Sequence, residues 1–348
     1  MNMIIDGHEI STEEIRRVIH IQNEKEGTEF LNNDPKLAID LYHYTTVDAF
    51  VSMLKQMKDD GVDYLTFWAS NVHYMNDPHE LEFFYDELIR IMPVLEDELN
   101  ISNVRFSALS IPKENPMGID IDKDIKENVY KRIFRSAYAI SFSKHRDYLP
   151  MWSLYGNNGG GLCLEFDRFK LNEWFKPEES KGIQLIDISY NVKEVEIWNS
   201  LKNYYSTYHD AIDENKQGHD VFSMRRTFIA RVLLELSKRM KHSTYAYEGE
   251  MRLYDHIVYA GDADEIVAKV EIASVDWTYD KARDPDVRIK NGMLIPYKKI
   301  KIPLSSLQSV IVGPTKNNKL QCNALEILLR QMDLNIDVIP SKIPYREL

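Results

Sequence analysis

Cysteine is almost missing from this 348-residue chain: Cys163 and Cys322 are the two present, far apart and outside any CxxC or Cys/His ligand spacing. That excludes a disulfide framework and a structural zinc site, and it leads to the expectation of a reducing, cytoplasmic setting. Long apolar runs are missing too. No stretch approaches the roughly 18 residues of a membrane helix, and residues 1–10 lack a basic segment followed by an apolar one, so neither membrane spanning nor secretion is expected. Positive charge is scarce: 43 Lys and Arg face 55 Asp and Glu, a net charge of -12. This excludes a broad basic nucleic-acid surface while leaving room for a local one. The signatures of a P-loop, a GxSxG elbow, an HExxH helix and a kinase are all absent.

What is there is a substantial hydrophobic fraction, 44%, enough for a real core. Residues 1–35 are polar and acidic, with one short helical pattern at Glu13–Gln22 and a loop at 32–35, and read as an N-terminal extension. From residue 36 to 348 the periodicity predicts a single α+β domain. It opens with a strand at Ala38–Tyr44, a helix with the stripe Val47, Phe50, Val51 and Leu54, a strand at Tyr64–Ser70, and a long helix to about Leu99. A further helix is expected at 120–135. Strands follow at Tyr138–Ser143, Gly161–Phe166, Ile183–Tyr190, Glu250–Tyr259, Ile266–Ser274 and Met293–Ile302. A helical insert at about 195–241, broken near Asn215–His219, separates the third of these from the fourth. The tail reads as strand, helix, strand.

Four constellations carry chemistry. Glu248-Gly249-Glu250-Met251-Arg252, read as extended, puts both carboxylates and the guanidinium on one strand face, where the acids repel unless Arg252 or a ligand balances them. The plain alternative is an exposed ion ladder. His43 and Tyr44 sit at a strand exit, where His43 is placed to donate a hydrogen bond; an ordinary core histidine is the alternative. Asn76-Asp77-Pro78-His79-Glu80 is a helix start that caps its own N–H groups, which explains Asp77, Pro78 and Glu80 but not Asn76. Ser141 and Ser143 share a strand face, and Trp152 and Tyr155 lie three apart on a helical turn, able to stack on a flat ring or to form a buried aromatic pair. The glycines at 159–161 allow close backbone approach but lack the GxGxxG order of a dinucleotide fingerprint.

The ordered series HYT, NDPxE, SFS, MWxxYxxxxxG, YExEMR, IPY and VIVGP, over about residues 40–340, resembles a bacterial family known as domain of unknown function 2971. A looser resemblance is to ADP-ribosyltransferases, whose split sheet presents a His or Arg, then a Ser/Thr/Tyr element, then a Glu-x-Glu. That resemblance implies a mixed, mainly antiparallel split sheet with helices packed around it, and NAD as substrate. It also implies Glu250 on the ribose hydroxyl, Glu248 orienting the acceptor, and His43 with Ser143 gripping the cofactor. Tyr44, Asn76, Ser141, Trp152, Tyr155 and Arg252 complete the expected cofactor-binding set, with no metal.

The expected function is therefore transfer of ADP-ribose from NAD to a protein or nucleic-acid acceptor, as in a bacterial toxin or antiphage effector. Two alternatives stand beside it. One is a noncatalytic nucleotide- or partner-binding module. The other is a metal-dependent nuclease using Asp77, Glu80, Glu248 and Glu250.

Overall fold

The computed structural model describes residues 2–5, 8–11, 40–75, 80–108, 137–175, 183–193, 195–214, 221–256, 285–290 and 292–344. The helix expected at 120–135, the strand at Ile266–Ser274, the short helix at Glu13–Gln22, the break near Asn215–His219 and the candidates Asn76 and Asp77 lie outside those residues. Strands β1 (Asn2–Ile5) and β2 (His8–Ser11) pair as a separate antiparallel hairpin that the polar character of the extension did not announce.

The main sheet starts with β3 (Leu41–Thr45), followed by helix α1 (Val47–Asp60) and β4 (Tyr64–Asn71). Helix α1 shows how closely local chemistry sets its bounds. The Thr46 hydroxyl accepts from the Ala49 amide at 3.2 Å, and Gly61, left-handed at φ 62°, turns its amide back onto Lys58. Its stripe buries Phe50, Leu54 and Met57. Then come α2 (Glu80–Glu98), β5 (Ala137–Ser143), α3 (Leu149–Leu154), β6 (Leu162–Phe166), α4 (Arg168–Trp174) and β7 (Ile183–Asp187). The insert is a helical pair, α5 (Val195–Glu214) and α6 (Val221–Arg239), after which β8 runs Glu250–His256. The chain ends with β9 (Asp286–Lys290), β10 (Met293–Pro303), β11 (Leu307–Val312), α7 (Asn318–Gln331) and β12 (Asp337–Pro340).

This is an α+β architecture around a ten-stranded sheet in which every pair is antiparallel except β11 with β12. The sheet forks at β5. One edge of β5 pairs with β8 along its whole length, Ala137 with His256 through Ser143 with Glu250. The other edge is shared: β4 takes Tyr138 and Ala139, and β3 takes Ser143. Between those contacts the two arms diverge.

Strand alternation sends even-numbered β5 residues to one face and odd-numbered ones to the other. On the first face Tyr138, Ile140 and Phe142 join Phe67, Met251 and Leu253 in a core roofed by α1, α4 and α7. On the second, Ala137 and Ala139 join Ile186 and Tyr254 under α2, α5 and α6, with Phe228, Val232, Leu233 and Leu236 of the insert fully buried. The insert thus roofs half of the second face, each large buried side chain contributing about 1.5–3 kcal/mol. A smaller cluster on that face, Tyr42, Tyr44, Cys163 and Ile311, is roofed by Met151 and Trp152 of α3.

Candidate functional site

Between the two roofs of the second face, a polar cluster is buried. Register pairs Ser143 with Glu250 and Ser141 with Arg252, so all four side chains share this face. Glu250 Oε1 accepts from the Ser141 hydroxyl at 2.6 Å and from Arg252 Nε at 2.8 Å. Its Oε2 accepts from Arg252 Nη2 at 3.1 Å and from Lys241 Nζ at 3.2 Å. A carboxylate has about four acceptor positions, and here each is taken. Lys241 also reaches Glu248 Oε2 at 2.5 Å, while the Tyr155 hydroxyl donates to Glu248 Oε1 at 2.6 Å. Glu248, Glu250, Arg252 and Lys241 are all 4% exposed or less.

Among the described residues, two carboxylates and two cations make a neutral buried quartet, which favours its burial. Burial by itself pushes the Glu250 carboxyl up, but Arg252 and Lys241, with hydrogen bonds from Arg252 and Ser141, overcome it and hold the pKa at about 2. Burial likewise works against the Lys241 ammonium, and the two glutamates reverse it, leaving its pKa raised. The Glu250 amide donates to the Tyr190 hydroxyl at 2.9 Å, and burial holds that phenol well above its ordinary value.

The local path of the chain differs from the expectation of one extended run. Glu248 ends a 3-10 segment, Ser243–Glu248, and Gly249 is left-handed at φ 50°, so the strand begins at Glu250. The two acids converge because Gly249 folds the chain, and not because they alternate along a strand. A side chain at Gly249 would meet His145 Nε2 at 2.7 Å. The Ser143 hydroxyl fastens the same corner, donating to the Glu248 carbonyl at 2.6 Å and accepting from the His145 amide at 3.0 Å.

His43 lies elsewhere. Because Tyr42 pairs with Ser143, the His43 ring emerges on the first face, edge-on to Phe67 and Phe142 at 5.1 and 5.7 Å. Its Nδ1 donates to the Ser141 carbonyl at 2.9 Å, in the gap of the fork between the residues of β5 that pair with β4 and the one that pairs with β3. Burial lowers its pKa, with the Ser141 bond opposing, so the ring is neutral and donates as expected, but to this backbone carbonyl. The sheet separates this imidazole from the Glu250 carboxylate.

Other candidates resolve into packing. Trp152 is 0% exposed, edge-on to Tyr44 at 4.9 Å, and its Nε1 donates to Asp147 at 2.8 Å, so the ring cannot also stack on a ligand. The Tyr44 hydroxyl donates to the His145 carbonyl at 2.8 Å and accepts from the Tyr148 amide at 3.0 Å. The glycine run lets strand ends touch: a Cβ on Gly313 would lie 2.1 Å from the Gly159 carbonyl oxygen. Tyr155 does reach the quartet, half-buried. Among the described residues no three His, Cys, Asp or Glu side chains gather to hold a metal ion, and no helix is long and apolar enough to cross a membrane.

Lys241 and Tyr190 are the residues that sequence reasoning missed. Lys241 reads as an ordinary cation past a helix end; its one signal is its place seven and nine positions before two acids that need a counter-charge. Pairing with the chain after β7 aims it inward: the Ser189 amide donates to Arg239 O at 2.7 Å and the Lys241 amide to Ser189 O at 3.1 Å.

Neither the curated proteins nor the solved structures compared with the chain include a match. A family model does match: residues 151–253, the segment holding Trp152, Tyr155, Tyr190 and the whole Lys241–Glu248–Glu250–Arg252 quartet, carry the signature of the family described as protein of unknown function (DUF2971).

Proposed function

We propose that the chain is an ADP-ribosyltransferase-like enzyme that consumes NAD and passes ADP-ribose to a macromolecular acceptor, with Glu250 as its catalytic carboxylate. The observation that carries this reading is the 2.6 Å bond from the Ser141 hydroxyl to Glu250, a serine of one strand holding an acid of a later one beside a fork in the sheet. In the reaction the ribose–nicotinamide bond breaks, its electron pair leaves with nicotinamide, and an acceptor nucleophile bonds to the same ribose carbon. A carboxylate on a ribose hydroxyl favours the cationic transition state over the ground state. Glu250, with its pKa near 2, is ionised at neutral pH as that role requires.

The incoming hydroxyl would displace Lys241, whose 3.2 Å contact is the longest of the four and whose ammonium keeps Glu248 at 2.5 Å. Oε2 would then open without leaving a buried cation unpaired. His43, on the other face, has no contact with the reacting atoms in this reading. A role as a toxin or antiphage effector belongs with this activity.

The test is incubation with labelled NAD and cell lysate. Wild-type protein is expected to release nicotinamide and transfer label, and Glu250→Gln to do neither; a silent wild type sinks the reading.

A second reading, a noncatalytic nucleotide- or partner-binding module, is favoured by a different observation. Glu250 is 2% exposed with both oxygens fully engaged, as in a structural cross-tie. Saturable NAD binding by calorimetry, without turnover, supports it.

A further inference from the structure

Beyond the quartet, the second face of the sheet continues across β4, β10 and β9. Alternation along β4 puts Tyr64, Thr66, Trp68 and Ser70 on this face, and register sets Lys301 beside Thr66, Lys299 beside Trp68 and Tyr297 beside Ser70. Strand β9 adds Asp286, Arg288 and Lys290 to the same side. Trp68 is 44% exposed and stacks on Tyr297 at 4.5 Å with 28° between the rings. The Arg288 guanidinium lies 5.6 Å from the Trp68 ring centre and 5.9 Å from that of Tyr297. Lys301 Nζ sits 4.5 Å over Tyr64.

The charge of this strip opposes that of the whole protein. Among the described residues of these strands' second face, Arg288, Lys290, Lys299 and Lys301 face one carboxylate, Asp286, which Lys299 engages at 2.8 Å, on a chain of net charge -12. Arg288 Nη2 donates to the Ser70 hydroxyl at 2.6 Å, while its Nε is buried with no hydrogen-bond partner among the described residues. An exposed indole backed by a second ring and flanked by cations is costly to keep clean of other contacts, and its composition has a ready complement.

We infer that this sheet face binds single-stranded nucleic acid, an unpaired base stacking on Trp68 and the backbone phosphates lying along Arg288, Lys290, Lys299 and Lys301. An unpaired base offers a flat π-face to the indole, which a duplex conceals; an acidic peptide would use the cations but not the stack. The inference is independent of the Glu250 chemistry, because none of these residues belongs to the quartet.

The experiment is fluorescence anisotropy of the full chain with a labelled oligothymidylate of about 15 nucleotides, at salt from about 50 to 200 mM. Expected are saturable binding that weakens with salt, a loss of about tenfold or more for Trp68→Ala, and a salt slope reduced by about 1.4 for Lys299→Ala with Lys301→Ala. Lys301→Glu, a change at an exposed position, is expected to weaken binding with the fold intact. The proposal is overturned by no saturable binding at the lowest salt, by affinity indifferent to Trp68→Ala or to Lys301→Glu, or by duplex DNA or polyglutamate competing as well as the single strand.

Discussion

Ser141 holds His43 and Glu250 on opposite sides of the same strand: its carbonyl accepts from His43 Nδ1 at 2.9 Å, and its hydroxyl donates to Glu250 at 2.6 Å. The peptide at the fork is thereby tied on one side by a neutral imidazole and on the other by an ion quartet. Each tie has its own pH signature.

Glu250 is ionised in the fold down to about pH 2 and, when unfolded, to about its ordinary value of 4.5. A depressed carboxyl stabilises the fold above the unfolded value, and the stabilisation disappears as pH falls through the folded one. Acidification from pH 4.5 to 2 is expected to cost about 3 kcal/mol through this group. Urea titrations at several pH values measure it, and Glu250→Gln is expected to flatten that part of the profile. An unchanged profile in the variant would refute the assignment.

Removing one partner of a buried pair leaves a charge uncompensated, so Lys241→Met is expected to destabilise by about 3–5 kcal/mol. Lys241→Met together with Glu248→Gln restores neutrality and is expected to cost less than the sum of the single changes. Additive losses in this double-mutant cycle would show that the two side chains do not interact.

His43 has a lowered pKa, so its stabilisation is present above the ordinary value of 6.5 and is lost as pH falls below it. His43→Phe keeps the ring against Phe67 and Phe142 but orphans the Ser141 carbonyl, an expected cost of about 1–3 kcal/mol. His43→Gln, which can still donate, should cost less. Nicotinamide release, if the protein carries it out, should follow only the stability of the His43 variants. A selective loss of kcat at full stability would instead put His43 in the reaction.

Gly249→Ala meets two penalties, a left-handed backbone at φ 50° and a Cβ 2.7 Å from His145 Nε2. The backbone part is about 1–2 kcal/mol. His145→Ala made in the same protein is expected to relieve the contact part and leave the backbone part. If Gly249→Ala unfolds at the same denaturant concentration as wild type, the corner is not strained.

Trp152→Phe is expected to lower stability, because a buried indole bonded to Asp147 at 2.8 Å loses both volume and its donor. The affinity for NAD, measured by calorimetry, is expected not to move. A selective loss of affinity would restore Trp152 to the ligand site.

Most of the architecture was legible because its signals are local. The stripe Phe228, Val232, Leu233 and Leu236 announced α6. The strand expected at Met293–Ile302 is β10 nearly to the residue. The candidate site was legible only in part. Ser141, Glu248, Glu250 and Arg252 do meet, and Tyr155 joins them, but Lys241 arrives from the end of a helix whose sequence says nothing about its direction.

Composition and periodicity, read along the chain, determined the α+β class, many of its strands and helices, and the identity of the charged groups that would need partners. Which face each group occupies was decided by tertiary structure alone. A shift of one residue in the pairing of β3 with β5 would carry His43 to the acids and Tyr42 away from Ser143, with no change in the pattern of either strand. Register depends on packing across the whole sheet, here on rings at positions 43, 67 and 142 filling one face while an ion quartet fills the other.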